Sequence, residues 1–238
     1  MKWGATFILL AVAAAGGCLM VAGVVLRILY AEVALAFCGV GIAYLLNKPR
    51  ALLKQSDGSL SVWSWLVYWP YHLLSWLSLS AYRVVSSEPA FHEIIPGLYL
   101  GCRLRSKDTT EILQRGPLSV LDLTSEFAEL PSLRNDGSYR CLPLLDHTAP
   151  TVDQLSDGIA FIDQRLRLGN VLVHCAVGHG RSAAVVAGFL VATEATRTLD
   201  EAVALLRSKR PGVQLNPAQR QALLCLESHL NHHERRDL

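Results

Sequence analysis

Cys175 and Arg181 stand six positions apart in "VHCAVGHGRSA", a spacing that lets one loop present both to a single anion. Residues 171–173 read as a short buried strand and 181–193 as a helix, so the loop joins a strand's carboxyl end to a helix N-terminus. Backbone N–H groups converge in such a loop, and the helix dipole adds partial positive charge. Gly178 and Gly180 are expected to let it curl tightly, because glycine takes the needed backbone angles at little cost. Arg181 can fork onto two phosphate oxygens. A thiol held in that field should lose its proton, its pKa falling from ~8.5 into the range ~3.5–7.5. A thiolate facing a bound phosphate is a nucleophile for phosphoryl transfer. His174 lies just before the cysteine and Ser182 just after the arginine.

The elements that must position this loop are legible in the flanking chain. "EIIPGLYLG" holds two short strand-like runs around Pro96-Gly97, a turn signal. Residues 107–114 read as a helix, and 118–124 and 139–145 as buried strands. Thr151-x-x-Gln154 fits a capping box ahead of a stripe of Leu155, Ile159, Ile162 and Leu166. Helices follow at 199–209, after Thr198-x-x-Glu201, and at 217–230, where Asn216 caps and Pro217 takes the first turn. Strands alternating with helices predict an α/β fold, a central mixed sheet covered by helices on both faces.

His174-Cys175-x5-Arg181-Ser182, with the strand before and the helix after, resembles the signature of the cysteine-dependent protein tyrosine phosphatase superfamily, in its dual-specificity branch. The likeness covers about residues 91–226: "IIPGLYLG" resembles the branch's opening strands and "EAVALLRSKRPGVQLNPAQ" its closing helices. The resemblance implies that Cys175 is the nucleophile of a thiophosphate intermediate and that Arg181 clamps the phosphoryl oxygens. It implies that Ser182 helps the thiolate leave, that His174 orients the loop from outside and favours the thiolate, and that Ala176, Val177, Gly178, His179 and Gly180 complete the phosphate cradle. Common loops of this branch read Cys-x-Ala-Gly-x-Ser-Arg-Ser. Here Val177 replaces the Ala and Gly180 the Ser, which leaves the substrate class open.

The chemistry also needs a proton for the departing oxygen. "LPLLDHTAPT" supplies Asp146 after the 139–145 strand, in a stretch that resembles the acid loop of mitochondrial phosphatases acting on phosphatidylglycerophosphate. Asp146 is therefore the expected general acid, then base. Asp122, at a strand end, and His147, beside Asp146, are read as structural and loop residues; His232 and His233 are read as solvated. The six cysteines show no CxxC pair or metal-ligand pattern, so neither a metal nor a cofactor is expected. The expected substrate is a phosphotyrosine, phosphoserine or phosphothreonine in a protein. A lipid phosphomonoester is the alternative, and a phosphate-binding pseudophosphatase is the alternative of another class. Because Ala176 and Val177 carry no charge and an ordinary His179 is mostly neutral at pH 7, a singly phosphorylated substrate is expected.

The remaining third of the chain differs in texture. Residues 1–83 carry six Lys/Arg against Glu32 and Asp57, a net charge of +4, whereas 84–238 carry 16 basic and 18 acidic residues, a net of −2. Neither part has the basic balance of a nucleic-acid binder, so no nucleic-acid partner is expected. Residues 4–26 hold no charge and are long enough to cross a ~30 Å hydrocarbon layer. A second apolar run spans 28–46, and the expected turn falls at 27–32. The apolar run passes straight through Cys18, unlike the short core of a signal peptide. Residues 59–80 hold Trp63, Trp65, Trp69 and Trp76 around Pro70, which predicts one or two helices broken at Pro70 and lying in the headgroup layer, with His72 as an interfacial polar group. The expected organisation is a transmembrane hairpin (1–50), interfacial helices and linker (51–90) and a catalytic domain (91–238), with the bilayer engaged through 4–46 and 59–80. Lys2, Lys48, Arg50 and Lys54 flank the hairpin and mark a cytoplasmic side for both its ends and the catalytic domain.

Overall fold

The computed structural model describes residues 2–134 and 137–234. The side chains of His232 and His233 lie outside the described residues. The chain divides into two compact units: 1–55, 59–86 and 125–128 form one, and 56–58, 87–124 and 129–238 form the other.

The second unit is built on a five-stranded sheet of order β1-β2-β5-β3-β4. Strand β1 (Phe91–Ile95) turns through Gly97, at φ 80°, into antiparallel β2 (Leu98–Cys102). Strands β3 (Leu118–Thr124), β4 (Tyr139–Leu144) and β5 (Asn170–Cys175) run parallel to β2 and to one another. Alternation along the strands assigns the two faces. Leu98, Leu100, Leu121, Leu123, Val171 and Val173 point into one core with helices α5 (Val152–Leu166), α6 (Arg181–Ala192), α7 (Leu199–Lys209) and α8 (Pro217–Glu234). Tyr99, Val120 and Leu172 point the other way, toward Ile112 of the short α4 (Ser106–Leu113) and Leu133 of a 3-10 turn. The expected mixed sheet with helices on both faces is present, with the cover unequal: among the described residues, four helices on one side and one helix on the other. The capping box at Thr151 and the cap at Asn216 form as expected, the Thr151 hydroxyl and the Asn216 side-chain Oδ1 accepting from the backbone N–H groups of Gln154 and Gln219 at 3.2 and 2.9 Å.

In the first unit, α1 (Lys2–Met20) and α2 (Val24–Leu45) are each long and apolar enough to cross a membrane. They pack closely where Gly4 and Gly41 face Leu45 and Ile8, and Phe7 stacks on Phe37 with centroids 5.8 Å apart. The turn falls at 21–23, not at the expected 27–32, so Arg27 and Glu32 lie within α2. The physical reason is local. The Arg27 side chain folds back and donates to the Val21 carbonyl at 2.7 Å, satisfying an acceptor beyond the end of α1. Glu32 accepts from the Trp69 indole N–H at 3.2 Å.

The tryptophan-rich stretch is helical over α3 (Val62–Val85), with a kink just before Pro70 that joins two helical segments, in keeping with the expected one or two helices interrupted at Pro70. Only Tyr68, at φ −109° and ψ 15°, leaves helical angles: the proline ring crowds the preceding turn, and the ladder then resumes. Trp63, Trp65 and Trp76 are exposed along it. His72 is buried, contrary to the interfacial reading; its ring nitrogens lie 3.0 Å from the Ser64 hydroxyl and 3.1 Å from the Glu126 carbonyl. A polar ring removed from water needs such partners, and the same helix about two turns earlier supplies one.

Candidate active site

Strand β5 ends in the middle of the sheet, between β2 and β3, and the chain from Cys175 to Arg181 curls over the carboxyl edge of the parallel strands. That edge is where open α/β sheets bind ligands. Successive loop carbonyls are each held by a donor outside the loop. Ala176 accepts from the Arg103 amide at 3.0 Å, Val177 from Arg210 Nη2 at 2.7 Å, Gly178 from Arg210 Nε at 3.1 Å, and His179 from the Gln214 amide at 3.0 Å. With its carbonyls tied outward, the loop can turn its N–H groups inward, the geometry of an anion nest. The Gly178 amide donates to Cys175 Sγ at 3.3 Å, and the Ser182 hydroxyl lies 3.2 Å from the same sulfur.

Gly178 is obligatory where Gly180 is not. Gly178 sits at φ 80°, and a Cβ there would stand 2.5 Å from the Gly101 carbonyl oxygen, a backbone atom that cannot step aside. Gly180 has φ −116°, which any residue adopts, and a Cβ would meet the flexible end of Gln219 at 3.2 Å. The expectation that both glycines serve the curl by backbone angle therefore holds for Gly178 and is corrected for Gly180, whose small size leaves room for Gln219.

Cys175 is buried at 2% exposure. Burial by itself pushes its thiol up; the Arg181 guanidinium and the Ser182 hydroxyl and amide pull it down by more, against a smaller opposing push from Asp146, and the net position is below the ordinary thiol range. Arg181 is 1% exposed at the start of α6, donating to the Leu144 carbonyl at 2.9 Å and contacting Asp146 Oδ1 at 3.0 Å. Asp146 stands in the turn after β4 with half of its side chain in water. Its neighbour His147, at φ 57°, places Nε2 3.5 Å from Asp146 Oδ2. The Asn216 amide holds the His147 carbonyl at 2.9 Å and Gln219 holds the Thr148 carbonyl at 3.1 Å, so the start of α8 braces this turn.

The structure thus brings Cys175, Arg181, Ser182 and Asp146 together around one point, with residues 176–180 forming its wall. His174 lies on the opposite side of the strand, fully buried. Its Nδ1 is 3.3 Å from the Cys175 carbonyl, and its Nε2 is 2.7 Å from Glu129 and 3.8 Å from Asp122. Asp122 accepts from the Thr124 amide at 2.8 Å, the Thr124 hydroxyl at 2.7 Å and the Tyr139 hydroxyl at 2.8 Å. Donor atoms of Asp122, Glu129 and His174 fall within 4.8 Å of one another. With both Asp122 oxygens already accepting hydrogen bonds, we assign no metal there.

Further residues around the loop escaped the sequence reading. Arg210, 1% exposed, also donates to the Pro89 carbonyl at 2.8 Å and to His92 Nδ1 at 3.1 Å. Burial and the Arg210 charge hold His92 below the usual histidine range. Glu88 collects Arg210 at 2.9 Å, His179 Nε2 at 2.6 Å and the Gly212 amide at 3.1 Å. Burial opposes the charge of Glu88, but the bond from His179 and the Arg210 cation prevail and hold it below the usual carboxylate range. No motif announced Glu88 or Glu129, because each acts through a loop that folds back from a distant part of the chain. Arg210 lay inside the closing segment that carried the resemblance, where the pattern alone gave it no role.

Residues 98–229 match the sequence model described as dual specificity phosphatase, catalytic domain. Human (Homo sapiens) dual specificity protein phosphatase 7 is 32% identical over 139 residues, which are 56% of this chain and 32% of that protein. Drosophila melanogaster dual specificity protein phosphatase Mpk3 is 33% identical over 141 residues, 58% of this chain and 34% of that protein. The chain spans about a third of the length of these curated relatives. Among solved structures, that of Tk-PTP in the active form aligns with TM-score 0.52 at 27% identity, covering 59% of this chain and 97% of its own. PTPMT1 in complex with PI(5)P aligns with TM-score 0.54 at 20% identity, covering 61% of this chain and 99% of its own, a likeness of fold.

Proposed function

The chain belongs to the dual specificity phosphatase catalytic-domain family, and on that footing we propose that it is a membrane-anchored cysteine phosphatase acting on phosphotyrosine, phosphoserine or phosphothreonine in proteins. The observation that carries the reading is the convergence on Cys175 Sγ of the Gly178 amide at 3.3 Å and the Ser182 hydroxyl at 3.2 Å, beside an arginine that also touches Asp146. In the first step the Cys175 thiolate attacks phosphorus, the S–P bond forms as the P–O bond breaks, and Asp146 gives its proton to the departing oxygen. Arg181 and the loop amides hold the equatorial oxygens through the transition state. In the second step Asp146 takes a proton from water, the water oxygen attacks phosphorus, and the S–P bond breaks with the Ser182 hydroxyl donating to the leaving sulfur. His174 sits outside the cradle and acts on the loop.

For the substrate, the named relatives at 32% and 33% identity are protein phosphatases. His179, the only ionisable side chain between Cys175 and Arg181, contacts Glu88, which supports a substrate with one phosphate. A lipid phosphomonoester is the second reading, favoured by the two bilayer-length helices. We read residues 1–50 as a transmembrane hairpin, 51–90 as an interfacial helix and linker, and 91–238 as the catalytic domain, on the cytoplasmic side by the charges at Lys2, Lys48, Arg50 and Lys54. Anchoring raises the local concentration of membrane-bound substrates. The test compares kcat/KM for a phosphotyrosyl peptide and for phosphatidylglycerophosphate in mixed micelles. A peptide preference is expected; a tenfold preference for the lipid, worth ~1.4 kcal/mol of transition-state binding, reverses the order.

A further inference from the structure

We propose that Glu129 is a positioning residue for the phosphatase reaction: its buried carboxylate keeps a proton on His174 Nε2, and the resulting imidazolium holds Cys175 in its reactive thiolate form. The inference rests on the function proposed above and adds a residue to it.

His174 is fully buried, so its ring nitrogens face protein groups and not water. Nε2 stands 2.7 Å from a carboxylate oxygen of Glu129, a charge contact out of line for a hydrogen bond, with Asp122 beyond at 3.8 Å. Nδ1 faces the carbonyl oxygen of Cys175 at 3.3 Å. Both partners are oxygen acceptors, and a neutral imidazole has only one N–H to give. Two buried carboxylates within 3.8 Å of Nε2 favour the doubly protonated, cationic ring. The other Glu129 oxygen is already engaged by the Leu130 amide at 2.6 Å, which fixes the carboxylate in place.

The surroundings fit a charged ring. The titratable groups around the cluster are Asp122 on β3, Glu129 after it, Tyr139 and Cys141 on β4, and Cys175 on the histidine's own strand. Burial, followed by the Asp122 charge, pushes the Tyr139 hydroxyl well above its ordinary range, so Tyr139 stays a neutral donor to Asp122. Asp122 and Glu129 then face one cation in a region of low dielectric, where removing either charge falls on His174. A cation against the Cys175 carbonyl favours negative charge on the same residue's sulfur, alongside Arg181 on the other side.

Glu129→Gln tests this in the full chain in detergent. A glutamine keeps the shape, but its amide offers no charge to hold the second proton. Cys175 is titrated by the pH dependence of iodoacetamide alkylation, read at that residue by mass spectrometry, which needs no turnover. The alkylation midpoint is expected to rise by about one pH unit, roughly tenfold slower reaction on the acid side, and the acid limb of kcat/KM should move with it. Glu129→Asp should restore part of the shift. In a His174→Asn background, Glu129→Gln should add nothing. An unchanged midpoint in folded Glu129→Gln, or an equal shift with and without His174, overturns the proposal. If Glu129→Gln does not fold, 15N NMR of the unmodified protein decides: the His174 ring, assigned by its loss in His174→Asn, should show both nitrogens protonated at pH 7, and a neutral ring refutes the idea. Wild-type turnover on phosphopeptides separately decides whether the phosphatase reading stands.

Discussion

Arg181 and Asp146 meet at 3.0 Å, the guanidinium sealed from water and the carboxylate half in it. The proposed phosphate clamp and the proposed proton donor are therefore in contact, and a phosphate arriving at Arg181 competes with Asp146 for the same cation. Asp146→Asn should separate the two roles. Hydrolysis should fall by ~10²–10⁴ for alkyl or phenyl phosphates, which need the proton, and much less for p-nitrophenyl phosphate. Binding of a non-hydrolysed oxyanion such as tungstate should tighten by a few-fold, because the competing charge is gone. Equal losses for both leaving groups would remove Asp146 from the acid role.

Cys175→Ser should abolish phosphate release while leaving oxyanion binding measurable, because a serine hydroxyl is not ionised by this loop. Isothermal titration with tungstate against phosphate release from a phosphopeptide separates the two. Residual turnover within tenfold of the wild type would mean that the sulfur is not the nucleophile.

The two loop glycines should behave differently on substitution. Gly178→Ala forces a left-handed backbone angle and a clash with the Gly101 carbonyl, so oxyanion binding should be lost and kcat/KM should drop by at least ~10². Gly180→Ala asks only Gln219 to move and should cost less than about tenfold. Both are read by kcat/KM with circular dichroism as the check on folding.

Glu88 should link the loop's stability to pH. Its folded-state pKa is held down by His179 and Arg210. The stability it contributes is therefore complete above the titration of an unfolded glutamate, and it is lost as pH falls through the lowered folded value. Glu88→Gln should cost about 2 kcal/mol at pH 7, the size of a charge-assisted hydrogen bond to a buried cation. The wild-type and variant unfolding midpoints should converge toward pH 3. A gap that stays constant from pH 7 to pH 3 would assign the effect to packing.

The membrane arrangement is open to a reporter fused after Leu238. With both ends of the hairpin on the cytoplasmic side, a reporter that works only after export should be silent there, and one that works in the cytosol should be active. Activity of the export-dependent reporter would make α3 a third span.

Much of this was legible because it is local. The strand at 118–124, the box at Thr151 and the sulfur-to-arginine spacing each depend on neighbours within a few residues, and each lies where the sequence placed it. The errors share another cause. The turn at 21–23 is set by Arg27 reaching back to a carbonyl, and hydropathy does not see such a bond. His72 gains its partners from Ser64 and from a loop 54 residues on, and Glu129 reaches His174 across 45 positions, 174 − 129. Long-range polar pairs of this kind carry no period and no spacing.

The strand order has a consequence for how copies of this protein behave at high concentration. The sheet's two open margins are β1 and β4. Strand β1 carries Glu93 in its middle, and β4 carries Arg140 and Pro143, whose missing N–H removes a rung. Charges and a proline along a margin discourage another chain from adding a strand there. The most β-prone segment, the all-apolar 171–173, is locked between two neighbours at the centre of the sheet. Self-association by strand addition is thus disfavoured at both borders, and crowding of copies need not end in fibrils.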